Sequence, residues 1–225
     1  MLLSATVYAP LMLLTVILPF AARYRLISAW ARFQVFLLKH LCGLDYRVEG
    51  REHLPGGAAI ILSKHQSAWE TIVFQEIFPA QTWVLKRELL WIPLFGWALA
   101  LLRPIAIDRS AGRKAIEQVI EQGRERLQSG IWVVVFPEGT RVAPGTRKRY
   151  AMGGAVLAAE TGYPVVPVAH NAGSFWPRRG FLKRPGTVRV VIGPVIDPSG
   201  QKAEAIIKQA EEWIENKMVE LEKTA

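Results

Sequence analysis

Residues 58–71 read Ala-Ala-Ile-Ile-Leu-Ser-Lys-His-Gln-Ser-Ala-Trp-Glu-Thr, and this stretch sets the architecture. The apolar run 58–62 has the length and composition of a buried strand, and 68–78 follows a helical pattern. His65 therefore lies where a strand stops, just before a helix starts. The same grammar repeats along the chain. Strands are expected at 45–49, 58–62, 82–85, 104–107, 131–135, 165–169 and 187–192, with 58–62 central and 45–49 at an edge. Helices are expected at 91–102, 112–128, 151–160 and 201–223. The last is amphipathic, with Ile206, Ile207, Ala210, Trp213, Ile214, Met218 and Leu221 turned inward. Strands alternating with helices predict an α/β fold, a mixed, largely parallel sheet flanked by helices.

Before that domain (43–225), residues 1–42 read as an N-terminal two-helix membrane-anchoring element. No charge precedes Arg23, and a helix over 1–20 would be about 30 Å long, enough to cross a hydrocarbon core. A basic leader and a small-residue cleavage site are missing, so the segment is not read as a signal peptide. Residues 26–41 place Trp30, Phe33, Phe36 and Leu37 among basic residues, as interfacial helices do. Pro19 and the Arg23-Tyr24-Arg25 cluster mark the break between the two. A spanning anchor and a hairpin dipping into one leaflet both fit.

Of the 225 residues, 51% are hydrophobic and only Cys42 is a cysteine, which excludes intrachain disulfides and cysteine-rich zinc sites. Four scattered histidines offer no metal cluster. The net charge is +9, but residues 197–225 carry −3 and the rest +12. A basic body calls for an anionic partner. The aromatics sit in apolar runs and no nucleic-acid-binding motif is present, so that partner is not a nucleic acid. No G-x-S-x-G elbow, Walker loop, G-x-G-x-x-G turn or H-E-x-x-H helix occurs.

Positions five apart on one helix point about 140° from each other, so His65 and Glu70 meet only if the first is in the loop and the second on the helix. So placed, the carboxylate holds one ring nitrogen as a donor and frees the other to accept a proton. Alone, such a pair is more often a local hydrogen bond, with Ser67 as N-cap and Glu70 completing a capping box. The strand at 131–135 delivers Phe136-Pro-Glu-Gly-Thr-Arg141 to its carboxyl end, where α/β sheets bind ligands. Arg141 there has the planar fork that grips phosphate. Residues 103–109 bring Asp108 and Arg109 to the same rim. Lys86 is a further phosphate candidate. The run Arg147-Lys148-Arg149 suits a membrane or carrier-protein contact, and His170 reads as structural.

The ordered blocks His65-Gln-Ser-Ala-Trp-Glu70, Ile107-Asp-Arg109, Phe136-Pro-Glu-Gly-Thr-Arg141 and Val166-Pro-Val168 together resemble the glycerolipid acyltransferases. Within that family they are most like the bacterial enzymes acting on 1-acyl-glycerol-3-phosphate. The resemblance spans about residues 45–195, and 1–42 looks like the family's anchoring helices. It implies acyl transfer from acyl-CoA or acyl carrier protein to the sn-2 hydroxyl of lysophosphatidic acid, giving phosphatidic acid. No metal or bound cofactor is implied. His65 would be the general base and Glu70 its orienter. Lys86, Arg109, Glu138, Gly139, Thr140 and Arg141 would hold the glycerol phosphate. Membrane phospholipids and the cytoplasmic face of a bacterial inner membrane follow as surroundings. Two residues depart from the pattern: Glu70 replaces the usual aspartate, and Arg103 stands where the second block often begins with glycine. Other readings are acylation of another lyso-lipid, such as a lyso-ornithine lipid or lysophosphatidylethanolamine, and a non-catalytic basic membrane-surface binding protein.

Overall fold

The computed structural model describes residues 2–108 and 111–223. Seven strands form one sheet: β1 (Leu44–Glu49), β2 (Ile60–Ser63), β3 (Gln81–Lys86), β4 (Ile105–Ile107), β5 (Trp132–Val135), β6 (Val165–His170) and β7 (Gly186–Ile192). Their order is β1-β7-β6-β2-β5-β3-β4. Every neighbouring pair is parallel except β6 and β7, so the sheet is mixed and largely parallel. β2 is central and β1 lies at an edge, as the sequence predicts.

Side chains alternate across β2. Ile61 faces an apolar cluster built with α2 (Phe20–Cys42) and α3 (Trp69–Ile77). Ile60 and Leu62 face a second cluster built with α5 (Arg113–Gln128), α6 (Gly153–Thr161) and α8 (Ala203–Lys223). A strand buried on both faces must be apolar throughout, which is why 58–62 carries no polar residue. Pro167 is tolerated inside β6 because its missing N–H faces the β7 side, where β7 has ended at Ile192 and only the Gly193 N–H to Pro167 carbonyl bond continues.

The N-terminal segment differs from a continuous helix over 1–20. α1 (Leu2–Leu13) gives way to a 3₁₀ turn at Leu14–Ile17, and α2 starts after Pro19. At 1.5 Å per residue α1 is about 18 Å long. None of the helices among the described residues is long and apolar enough to cross a membrane. The two helices form an antiparallel hairpin closed by side chains. Tyr8 Oη donates to the Leu26 carbonyl (2.6 Å), and the Ser4 hydroxyl accepts from Trp30 Nε1 (3.2 Å) and Gln34 Nε2 (3.0 Å). The inner face of α2, through Tyr24, Ala31 and Leu38, joins the first core cluster.

The helix expected over 91–102 is split into a 3₁₀ turn, Arg87–Trp91, and α4 (Phe95–Ala100). A short α7 (Ala172–Phe175) precedes β7. Arg103 has φ of 53°, in the left-handed region where glycine is free of strain. That backbone requirement accounts for the glycine often found at this point of the family pattern. Here the arginine instead pairs with Glu125.

Candidate active site

Leu62 of β2 is in register with Val135 of β5 and Pro167 of β6. Three residues beyond each lie His65, Glu138 and His170. Parallel pairing thus brings three separate sequence blocks to one point on the carboxyl rim of the sheet.

His65 Nδ1 lies 2.8 Å from Glu70 Oε1, which also accepts the backbone N–H groups of Gln66 and Ser67 at 2.9 Å each. A carboxylate oxygen taking three N–H groups fixes His65 Nδ1 as a donor and leaves Nε2 a lone pair. Glu70 is fully buried, while the His65 side chain keeps 13% of its surface. Burial favours the neutral acid of Glu70. Electrostatic attraction to the His170 and His65 imidazoles, the His65 hydrogen bond and the Ser67 N–H outweigh it, holding the carboxyl below its usual range. The extra methylene relative to aspartate is thus absorbed without loss of the Nδ1 contact. Half of the expected capping box forms, through the Glu70 bond to the Ser67 N–H. The helix N-cap is Ala68, not Ser67, and Ser67 Oγ accepts from the Trp69 N–H (3.1 Å).

The 136–142 loop clasps this dyad. The Phe136 ring stacks on the imidazole with centroids 4.0 Å apart and planes 14° from parallel. The His65 N–H donates to Glu138 Oε2 (2.9 Å), and the His65 carbonyl accepts from the Val142 N–H (2.8 Å). Gly139 has φ of 68° and closes the turn onto the Phe136 carbonyl, a conformation that a side chain would strain.

The described residues of the expected phosphate-binding set occupy different settings. Glu138 is buried and pairs with Lys64 Nζ at 2.7 Å, so its carboxylate positions the His65 loop and does not face the rim. Burial raises its pKa, with the Glu215 charge adding to the rise and Lys64 opposing it. Lys86 stands exposed at the end of β3, paired with Glu88 Oε1 at 2.9 Å. Thr140 and Arg141 are half-buried on the loop next to His65. Arg109 lies outside the described residues.

Sequence reading missed the supports behind the dyad. Lys64 Nζ donates to Glu215 Oε1 (2.8 Å) and to the Thr146 carbonyl (3.1 Å), and Tyr150 Oη donates to the same Glu215 oxygen (2.9 Å). Glu222, two turns further along α8, accepts from Gln66 Nε2 and the Gly145 N–H, each at 2.9 Å. The acidic C-terminal helix therefore braces both site loops. One signal was available: Lys64 continues the Ile60–Leu62 face of a buried strand, and a lysine there requires carboxylate partners.

His170 is structural in its contacts. Its Nδ1 accepts the Ala172 N–H (3.3 Å), so Nε2 carries the proton that the Lys64 carbonyl accepts (2.9 Å). Burial lowers its pKa below the ordinary 6.5. The unfolded chain then takes up a proton near pH 6.5 that the folded chain refuses, and stability falls as pH drops below that value. We expect a loss approaching about 1.4 kcal/mol per pH unit at its steepest. Denaturant titrations across this range should show the slope for the parent and its attenuation in His170→Gln.

The Acyltransferase family profile matches residues 45–171. The chain is 48% identical over 209 residues to a 1-acyl-sn-glycerol-3-phosphate acyltransferase of Pseudomonas aeruginosa, covering 91% of this chain and 81% of that protein. It is 33% identical over 143 residues to the human 1-acyl-sn-glycerol-3-phosphate acyltransferase alpha, covering 63% and 50%. The crystal structure of the 1-acyl-sn-glycerophosphate (LPA) acyltransferase of Thermotoga maritima superposes with a TM-score of 0.77 at 26% identity, covering 96% of this chain and 91% of that one.

Proposed function

The chain belongs to the Acyltransferase family, and on that premise we propose that it acylates the sn-2 hydroxyl of 1-acyl-glycerol-3-phosphate to form phosphatidic acid. The observation that carries this reading is the 2.8 Å bond from His65 Nδ1 to the buried Glu70, which leaves Nε2 as an acceptor on a side chain that keeps 13% of its surface. In the proposed step the acceptor hydroxyl hydrogen-bonds to His65 Nε2 and gives up its proton as its oxygen attacks the donor's thioester carbonyl. The tetrahedral intermediate collapses, breaking the carbon–sulfur bond. The departing thiolate takes the proton back from His65. Glu70 stabilises the transient imidazolium and keeps the ring in the productive tautomer. Acyl-CoA or acyl carrier protein supplies the thioester, and no metal or bound cofactor takes part.

Arg141 is assigned to the acceptor's phosphate, aided by Lys86 and Arg109, while Glu138, Gly139 and Thr140 shape the loop. Membrane association at the cytoplasmic face belongs to the same reading. α1 leaves Val7 and Leu11 exposed, the 3₁₀ turn after it leaves Leu14 and Ile17 exposed, and α1 packs against α4, beside exposed Trp91, Phe95 and Trp97. A hairpin lying in one leaflet fits these lengths better than a span.

The test is phosphatidic acid formation by the full chain in mild detergent, with lysophosphatidic acid and either donor. Folded protein that makes none with either donor refutes the reading. Arg141→Ala should raise the acceptor KM about 10- to 100-fold, the worth of a charged hydrogen bond. An acceptor bound without its phosphate would leave that KM unchanged.

A further inference from the structure

Between β6 and β7 the chain makes a loop, 176–185, that no block of the acyltransferase pattern includes. It is a closed turn. The Arg184 N–H donates to the Phe175 carbonyl (2.9 Å), Gly180 N–H to Pro177 (2.9 Å), and the buried Trp176 anchors it through Nε1 to the Gly180 carbonyl (3.0 Å). At its tip Phe181 and Leu182 are 88% and 77% exposed. Arg178, Arg179, Lys183 and Arg184 flank them, with no acidic residue between 172 and 196. Lys183 Nζ sits 4.6 Å from the Trp176 ring centroid and 5.2 Å from that of Phe181. An ordered turn holding two adjacent large apolar side chains in water, ringed by cations, matches the interfacial region of an anionic bilayer: hydrocarbon below, phosphates above.

Topology gives the loop its orientation. It leaves the carboxyl end of β6 and enters β7 from the same rim, since β6 and β7 are antiparallel. The rim also carries His65 after β2 and, beyond Lys86 at the end of β3, the exposed Trp91, Ile92, Phe95 and Trp97. In the strand order β7-β6-β2-β5-β3, the loop lies to one side of His65 and the aromatic segment to the other, roughly 17 Å apart by strand spacing. Where the loop ends, the first residue of β7 is tied to the end of α2, through Gly186 N–H to the Gly43 carbonyl (2.9 Å), near exposed Leu41. Arg178 reaches toward the reaction site, donating to the Arg141 carbonyl (3.0 Å).

We propose that the 176–185 loop is a second membrane-docking element, which inserts Phe181 and Leu182 at an anionic phospholipid surface on the side of His65 opposite the 87–97 segment. The rim then lies against the bilayer at two points, and His65 opens toward the interface where a lyso-lipid's hydroxyl resides. The proposal rests on the membrane reading above, and the experiment separates the two.

The full chain is floated with phosphatidylcholine vesicles, with and without phosphatidylglycerol, alongside Phe181→Ser/Leu182→Ser and Arg179→Gln/Lys183→Gln/Arg184→Gln variants. Leu182→Cys in a Cys42→Ser background carries an environment-sensitive dye. Expected results are a dye shift to an apolar environment and binding on the order of ten-fold weaker for the serine variant. The glutamine variant should lose the extra affinity for phosphatidylglycerol. Activity of the serine variant on a water-soluble short-chain acceptor with acyl-CoA should be unchanged, showing that it is folded. A parent that binds neither vesicle refutes the membrane reading itself. A parent that binds, with the serine variant binding equally and the dye still in water, refutes the loop proposal alone. Unaltered vesicle binding with activity lost only when acyl carrier protein is the donor assigns the loop to that protein and also overturns the proposal.

Discussion

Replacing His65 with alanine is expected to lower turnover on the order of 10²–10⁴-fold, the usual contribution of a general base, with the fold intact. The side chain is 13% exposed and, among the described residues, hydrogen-bonds only through Nδ1, so its removal breaks one contact to Glu70 and one ring stack on Phe136. The Glu138 and Val142 bonds that hold the loop run to His65 backbone atoms and survive the substitution. Glu70 tests the other half of the dyad. Glu70→Gln removes the charge that stabilises the imidazolium and offers a donor where three N–H groups already converge, so turnover should fall steeply. Glu70→Asp keeps the charge and should retain most of it. Equal turnover by the parent and His65→Ala, measured as phosphatidic acid formed per folded enzyme, would remove His65 from the mechanism.

Lys64→Met should lower the unfolding free energy by about 3–5 kcal/mol, because it leaves two carboxylates without their shared cation. Lys64 is 1% exposed, and its ammonium hydrogen-bonds Glu215 at 2.8 Å and the Thr146 carbonyl at 3.1 Å and forms an ion pair with Glu138 at 2.7 Å. Burial already raises the Glu138 pKa, and losing Lys64 drives it higher. A carboxyl with a folded pKa above its unfolded value takes up a proton on folding, so the variant recovers stability as pH falls. Its deficit should therefore be smaller in mild acid than at alkaline pH. For a domain of this size each kcal/mol is about 2–4 °C in Tm, which makes the effect easy to read by thermal unfolding. A loss under about 1 kcal/mol would mean that water reaches these carboxylates. Where the variant remains folded, kcat should fall more than KM changes, since Glu138 holds the His65 backbone.

The correction to the N-terminal segment has a local cause. Hydropathy alone made 1–20 a candidate span, but Pro10 lies inside α1, and a 3₁₀ turn and Pro19 end the first helical segment after Leu13. Hydrogen bonds from Tyr8, Trp30 and Gln34 then hold a hairpin that a hydropathy count does not register.

The sequence by itself determined the α/β class, the central place of β2, the loop-then-helix placement of His65 and Glu70, and the Phe136–Arg141 loop at a strand's carboxyl end. Each rests on short-range chemistry: periodicity, turn residues, and a spacing that allows only one geometry. Only the tertiary structure decided that Glu138 faces inward, that Lys64 is buried between two carboxylates, and that Glu215 and Glu222 of the last helix brace loops some 70 to 160 residues earlier. Those contacts depend on the register of β2 against β5 and on the packing of α8 across the second core face. Ion pairing between buried groups so distant in the chain leaves no periodic trace, since a glutamate on an amphipathic helix looks the same whether it meets water or a buried lysine.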